Sequence, residues 1–327
     1  MRLLLGLCLC FLLLGAVSCA YQTQLLQSPR SGFVPEIDET STRGRITRIT
    51  PPDMFVSWRF RVSPDGRSVI FSGRQVDASN DEPFQLYRLD MGSNTPVKIT
   101  SGGENNCWDP SFTKDGQGIV YRVEDSARTS LLPAGASTGS GSFLKIRSDG
   151  AGAKTKVPGS GLNKDFYPQV SSQDRVAFIT YDAASGKSLI WTSGLDGSAL
   201  TQYREGDFPS WSPDGTRIVF GYQGDIWMIN AIGTELTQLT ATNDIVESLP
   251  SFSPDGQYVV FVSNESNGGA GRDANIWTIK TDGTAKTQVT ELASWDSWPT
   301  WAPDGIYFLS GRAKGDKNIQ RIWRIEQ

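Results

Sequence analysis

A four-residue turn, written six times, constrains this chain more than any other feature. Ser63-Pro64-Asp65-Gly66 returns as Ser212-Pro213-Asp214-Gly215, Ser253-Pro254-Asp255-Gly256 and Ala302-Pro303-Asp304-Gly305, with a weaker copy at Thr113-Lys114-Asp115-Gly116 and a degenerate one at Ser171-Ser172-Gln173-Asp174. Units that recur every ~40 to 60 residues are too small to bury an apolar face alone and must pack against their neighbours. The turn has its own mechanism. Proline presets φ at the first corner, aspartate tolerates the second, and glycine supplies the positive φ that closes a hairpin.

Each copy leads into a β-branched and aromatic run: Val69-Ile70-Phe71, Ile119-Val120-Tyr121, Val176-Ala177-Phe178, Ile218-Val219-Phe220, Val259-Val260-Phe261 and Tyr307-Phe308-Leu309. Such runs are strands. A third strand follows in every unit, as in Leu86-Tyr87-Arg88-Leu89 or Ile226-Trp227-Met228-Ile229, and then a fourth, as in Val97-Lys98-Ile99-Thr100 or Thr287-Gln288-Val289-Thr290. This pattern predicts an all-β fold, a six-bladed β-propeller of four-stranded antiparallel blades. The last unit stops at Gln327 one strand short, while Thr47-Arg48-Ile49-Thr50 repeats the fourth-strand pattern. The economical solution pairs this N-terminal strand into the last blade, which closes the ring and removes open edges. The propeller then spans residues 43–327.

The first residues read as an address. Arg2 precedes an apolar run over residues 3–17, shorter than the about 20 residues that cross a bilayer and flanked as an export signal is. The run ends Ala16-Val17-Ser18-Cys19, which resembles a bacterial lipobox. That resemblance implies a signal peptide over residues 1–19, lipid on Cys19, and a place in the cell envelope, at the outer membrane and facing the periplasm if the cell has two membranes. An ordinary secretory signal cut near Ala20 is the other reading. Cys8 and Cys10 lie inside the signal, so Cys107 is left without a disulfide partner. Residues 20–42 are rich in Gln, Ser, Thr and Pro and read as a flexible tether, able to extend ~3.3 Å per residue.

Charge and composition exclude several functions. Lys and Arg total 31 against 35 Asp and Glu, a formal charge of -4, whereas nucleic-acid binding needs a basic excess. The chain has no histidine, which removes His-ligated zinc and any Ser-His-Asp or Cys-His nucleophile.

The stretch Pro209-Ser210-Trp211-Ser212-Pro213-Asp214-Gly215 resembles the repeat of the TolB propeller, and related repeats occur in the propellers of prolyl-oligopeptidase-type peptidases. The similarity covers nearly all of residues 43–327. TolB proteins are periplasmic, and their propeller binds other envelope proteins, including the peptidoglycan-associated lipoprotein. The resemblance therefore implies a monomeric module that binds an envelope protein or peptide, with no enzymatic activity and no cofactor. TolB carries an α/β domain ahead of its propeller, where this chain has the tether.

Strand order places the recognition face. Lettering the strands of a blade A to D from the axis outward, the A–B and C–D turns share one face, and the B–C and D–A connections share the other. The second face receives the long loops, 72–83, 122–142, 263–273 and 310–317, and variable loops on a rigid ring are where recognition concentrates. Trp211 and Trp301 sit on A strands, and Trp191, Trp227, Trp277 and Trp323 on C strands. The other tryptophans, Trp58, Trp108, Trp295 and Trp298, fall on D–A connections, with Phe166, Tyr167 and Phe208. The same connections carry Asp109, Asp165, Asp207, Glu247 and Asp296, with Arg59 as the basic member. Two readings compete: an aromatic and acidic mouth for a protein or peptide, or rings packed between blades with solvated loop charges. The carboxylates could also serve a hydrolase or lyase as acid and base, or hold a Ca²⁺ ion.

Overall fold

The structure, a computed structural model, describes residues 44–76, 82–100, 105–124, 142–161, 165–182, 185–267, 274–291, 295–311 and 320–326, together with the backbone of 37–41. The signal segment 1–19 with its lipidation candidate Cys19, most of the tether 20–42, and parts of all four long loops lie outside the described residues.

The chain opens with β1 (Ile37–Ser41) and β2 (Gly44–Arg48). Blade 1 is β3 (Met54–Val62), β4 (Ser68–Gln75), β5 (Gln85–Asp90) and β6 (Val97–Lys98). Blade 2 is β7 (Cys107–Phe112), β8 (Gly118–Val123), β9 (Ser142–Arg147) and β10 (Thr155–Pro158). Blade 3 is β11 (Asp165–Val170), β12 (Arg175–Asp182), β13 (Lys187–Gly194) and β14 (Thr201–Glu205). Blade 4 is β15 (Asp207–Trp211), β16 (Arg217–Tyr222), β17 (Asp225–Asn230) and β18 (Thr237–Gln238). Blade 5 is β19 (Glu247–Phe252), β20 (Tyr258–Ser263), β21 (Asn275–Lys280) and β22 (Thr287–Gln288). Blade 6 is β23 (Ser297–Ala302), β24 (Gly305–Ser310) and β25 (Arg321–Ile325), completed by β2. Neighbouring strands in every blade are antiparallel, as in the pairing of β2 with β25 through Ile46↔Ile325 and Arg48↔Trp323.

One hydroxyl marks the fourth strand of four blades. Thr100 Oγ1 accepts from Leu86 N at 3.0 Å, Thr240 Oγ1 from Ile226 N at 2.9 Å, and Thr290 Oγ1 from Ile276 N at 3.0 Å. In blade 6 the same bond joins opposite ends of the chain: Ile322 N donates to Thr50 Oγ1 at 3.1 Å across 272 residues. The N-terminal strand thus reproduces the fourth-strand contact atom for atom. Gly44 lets it approach, since a Cβ there would collide with the Glu326 carbonyl oxygen and its φ is +143°.

β1 corrects part of the sequence reading. Residues 37–41, placed in the tether, add a fifth and outermost strand on β2, with Ser41 opposite Gly44. The outer edge of β2 offers backbone groups that β1 pairs with.

The core is divided into wedges between blades. Val260, Val262 and Ile276 of blade 5 pack on Ile306, Phe308, Trp323, Ile325 and Ile46 of blade 6. Tyr307, Leu309 and Ile322 of blade 6 pack on Met54, Val56, Phe60 and Phe71 of blade 1, which closes the ring. The remaining four seams are built the same way. The repeated turns are locked from inside. Ser63 Oγ donates to Asp65 Oδ1 at 2.6 Å while accepting from Ser68 N at 2.9 Å, and the Thr113–Asp115, Ser212–Asp214 and Ser253–Asp255 pairs repeat the side-chain bond. The aspartate is therefore an acceptor that holds the turn, beyond tolerating its corner. In the degenerate copy Asp174 takes the glycine's place at φ 55°, a conformation aspartate adopts more readily than most residues.

Candidate functional site

Every A strand carries a bulge. The register slips between Ser57 and Phe60, Trp108 and Ser111, Phe166 and Gln169, Asp207 and Ser210, Ser248 and Ser251, and Ser297 and Thr300. In blades 2 to 6 the residue four positions before the turn motif is left-handed: Asp109 at φ 55°, Tyr167 at 57°, Phe208 at 52°, Leu249 at 55° and Trp298 at 52°. A proline follows each of the five. Proline is tolerated there because an A strand is the inner edge of its sheet, with no further strand to receive its N–H. In blade 1 the corresponding residue is Arg59, followed by Phe60, and the left-handed turn falls one residue earlier on Trp58, at φ 37°. Non-glycine residues held at positive φ cost roughly 1–2 kcal/mol each, and such strain clusters at functional sites.

Three of these residues meet at the axis, while Leu249 packs on the wedge between blades 5 and 6. The ring of Tyr167 lies 5.0 Å from Phe208 and 5.6 Å from Trp298, and Phe208 meets Trp298 edge-on at 5.3 Å. Blades 3 and 6 stand opposite each other in a six-bladed ring, so a contact between Tyr167 and Trp298 closes the channel with an aromatic plug. Arg59 is inserted beside it, its guanidinium 5.2 Å from the Tyr167 ring and 5.4 Å from Trp298. Arg59 is only 3% exposed, and its Nε and Nη1 have no hydrogen-bond partner. Asp109, whose charge acts on Arg59, accepts from Arg122 Nε instead, at 3.2 Å. Arg122 in turn covers Phe166 at 5.0 Å.

Electrostatics confirm the crowding. Burial lowers the Arg59 pKa, with Asp109 opposing. Arg61 is pushed well below the ordinary guanidinium value by burial and then by Arg59, so the two like charges repel. The Tyr167 hydroxyl is pushed up by burial and then by Asp109, and stays protonated.

The sequence placed acids around this mouth; the structure disperses them. Asp165 is turned into its own blade, accepting from Thr180 Oγ1 at 2.5 Å and from Ser160 Oγ at 2.7 Å, and burial raises its pKa against those bonds. Glu247 is fully buried and paired with Lys286 at 2.6 Å, and Lys286 also reaches Glu265. Asp296 is wholly buried, and its own N–H donates to Ala274 O at 3.0 Å. Asp207 is half-buried, its pKa raised by burial with the Ser188 hydroxyl opposing. Among the described residues no three Asp, Glu or Cys side chains converge in a way that could hold a metal ion. The physical reason is position: Asp165, Glu247 and Asp296 lie two residues before the ring slot, where they serve connections rather than the axis.

The aromatics divide too. Tyr167, Phe208 and Trp298 form the plug. Trp108 turns to the rim between blades 1 and 2, with its ring 4.9 Å from Phe84 and its Nε1 donating to Glu124 at 3.3 Å. Trp295 stays exposed, and Cys107 is buried in the seam between blades 1 and 2. Sequence reasoning missed Leu249, Arg61 and Arg122. Leu249 was recoverable, because it occupies the same offset from the turn motif as the other ring residues. A cleft of about 470 Å³ opens on the other face, lined by Asp65, Lys114, Asp115 and Asp149. Its aspartates are occupied by turn bonds, which leaves the axis as the better candidate.

No protein-family model matches the sequence. The chain is 30% identical to dipeptidyl-peptidase 5 of Porphyromonas gingivalis over 328 aligned positions, covering 83% of this chain and 47% of the relative. It is 27% identical over 177 residues to an uncharacterized protein of Agrobacterium fabrum, covering 48% of this chain and 52% of the relative. The chain thus spans about half the length of these curated relatives. Among solved structures it resembles a candidate TolB of Agrobacterium tumefaciens (TM-score 0.54, 20% identity, 66% of this chain and 73% of that one). It also resembles oligogalacturonate lyase of Vibrio parahaemolyticus (TM-score 0.55, 13% identity, 90% and 95%) and an oligogalacturonate lyase in complex with manganese (TM-score 0.52, 16% identity, 89% and 82%). What these likenesses show is the fold, a TolB-like six-bladed β-propeller.

Proposed function

We propose that this chain is an exported, lipid-anchored propeller that binds an envelope protein or peptide at its channel, on the face of the long loops. The observation that carries the reading is the ring of Arg59, Asp109, Tyr167, Phe208, Leu249 and Trp298. It gathers strained backbone, aromatic surface and an unpartnered cation at one place, whereas two of the acids that an enzyme of this kind could use are held elsewhere, Asp165 by Thr180 and Ser160 and Glu247 by Lys286. TolB among the structural neighbours supports a binding role in general. The lyase and peptidase names belong to proteins that share the fold. The test is capture of envelope proteins by the full chain and by a Tyr167→Ala plus Trp298→Ala variant whose unfolding midpoint is checked first. A partner lost in the variant supports the mouth, and an unchanged partner set refutes it. For the anchor, Cys19→Ser is expected to abolish incorporation of labelled fatty acid, and undiminished incorporation overturns lipidation at that residue.

A further inference from the structure

The channel holds a buried cation without its counterpart. Arg59 presents Nε and Nη1 with no acceptor among the described residues, yet it is all but excluded from water. A buried donor left unpaired is costly, and a buried charge more so, so a group in this state asks for the acceptor it lacks. Its surroundings make the deficit larger. Arg61 brings a second guanidinium close enough to repel it, and Arg122 already consumes Asp109. Arg59, Arg61 and Arg122 thus gather near Tyr167 with Asp109, which is paired to Arg122, and Asp207 as the acids acting there. The rings of Tyr167 and Trp298 lie 5.2 Å and 5.4 Å from the guanidinium carbon, and Nε and Nη1 are donors of a planar fork that suits capture of a planar anion.

We infer that the Arg59 guanidinium, held beside the Tyr167 and Trp298 rings in the channel, is a docking site for a carboxylate carried by a peptide. The inference rests on the binding reading above and names the chemistry that enters the mouth. A peptide fits better than a uronic sugar because the ring offers cations and apolar surface. The acceptors that a sugar's hydroxyls need are scarce, since the ring's one carboxylate, Asp109, is engaged by Arg122. A chain-terminal carboxylate and an acidic side chain present the same group, and the probes separate them.

The experiment observes the Arg59 Nε–H resonance in full-length protein labelled with ¹⁵N-arginine, identified by its disappearance in Arg59→Met. Four probes are titrated: triglycine, triglycine amide, acetyl-Gly-Glu-Gly amide and galacturonate. The expected result is a saturable shift with triglycine or with the glutamate peptide and none with triglycine amide; calorimetric titration of the responding peptide, which needs no Arg59 resonance, should show at least about tenfold weaker binding to Arg59→Lys and Arg59→Met than to the native chain. Response to triglycine alone assigns the site to a chain terminus, and response to the glutamate peptide alone assigns it to an acidic side chain. No shift with either carboxylate peptide overturns the inference. So does an equal shift with the amide, or a shift with galacturonate alone. Partner capture that depends on Tyr167 and Trp298 while Arg59 ignores carboxylates would sink this inference and leave the mouth standing. Loss of both would sink the binding reading with it.

Discussion

Replacing Thr50 by valine tests the closure of the ring at a single bond. Thr50 is wholly buried, and its Oγ1 is the acceptor for Ile322 N at 3.1 Å. Valine keeps the shape and removes the acceptor, so the Ile322 N–H is left buried with no water to take over. A stranded backbone donor of this kind costs about 1–3 kcal/mol. In a domain of this size each kcal/mol moves the melting midpoint by roughly 2–4 °C, so a drop of about 2–12 °C is expected. Unfolding followed by tryptophan fluorescence reads it directly, because Trp323 lies fully buried in the same blade. Two comparisons make the result specific. Thr100→Val breaks the equivalent bond inside one blade and should cost at least as much, since it also removes the donor to Gln85 Oε1 at 2.8 Å. Ile232→Ala, at a side chain 82% exposed, should cost almost nothing. If Thr50→Val behaved like Ile232→Ala while Thr100→Val was damaging, the first and last strands would not be joined in solution and the ring would be wrongly drawn.

Three further outcomes are expected. Arg59→Met should stabilise the unliganded protein by about 1–4 kcal/mol, because it removes an unpaired buried charge; calorimetry showing a loss would mean that Arg59 has an internal partner. Asp174→Gly should be neutral or stabilising by up to about 1 kcal/mol and Asp174→Val clearly destabilising, since the position sits at φ 55°; urea unfolding compares them. The Ser212 hydroxyl holds the Asp214 pKa below the usual carboxylate value. A depressed folded pKa contributes stability above the unfolded value of about 4 and loses it as pH falls through the folded one. The gap between native protein and Ser212→Ala, measured by urea unfolding, should therefore narrow from pH 6 to pH 2, and a constant gap refutes the linkage.

The architecture was legible because it is encoded locally and repeatedly. Turn, strand and fourth-strand signals each occur several times, so even the degenerate copy at Ser171-Ser172-Gln173-Asp174 was readable from its place in the series. The threonine at the end of Ile49-Thr50 carried the closure for the same reason. The site was legible only in part. Period and turn chemistry say that residues such as Trp108 and Tyr167 fall on the same kind of connection. They do not say that the bulge aims Tyr167 at the axis while Trp108 leans on Phe84 at the rim. The acids misled for a related reason: a carboxylate beside the channel in sequence can be buried two residues short of it, as Asp165 and Glu247 are. Arg122 carried no signal, because its role depends on the bulge that brings Asp109 within 3.2 Å of it on the neighbouring strand of the same blade.

A chain of repeats allows one comparison that needs no relatives, that of a slot with its own copies. The slots that build the propeller are filled nearly alike. Threonine ends the fourth strand at positions 50, 100, 240 and 290, and a serine or threonine bonds the aspartate of four turns. The slot at the axis is filled six different ways, by Arg59, Asp109, Tyr167, Phe208, Leu249 and Trp298, though the bulge that presents it is shared by all six blades. If the ring served only to plug the channel, one apolar side chain repeated would do so at less cost than a stranded guanidinium held among strained residues. Uniform geometry with divergent chemistry is instead what a surface needs in order to present one asymmetric pattern from a symmetric frame. The departure from the cheaper solution is concentrated at Arg59, which is where an incoming acceptor would recover it.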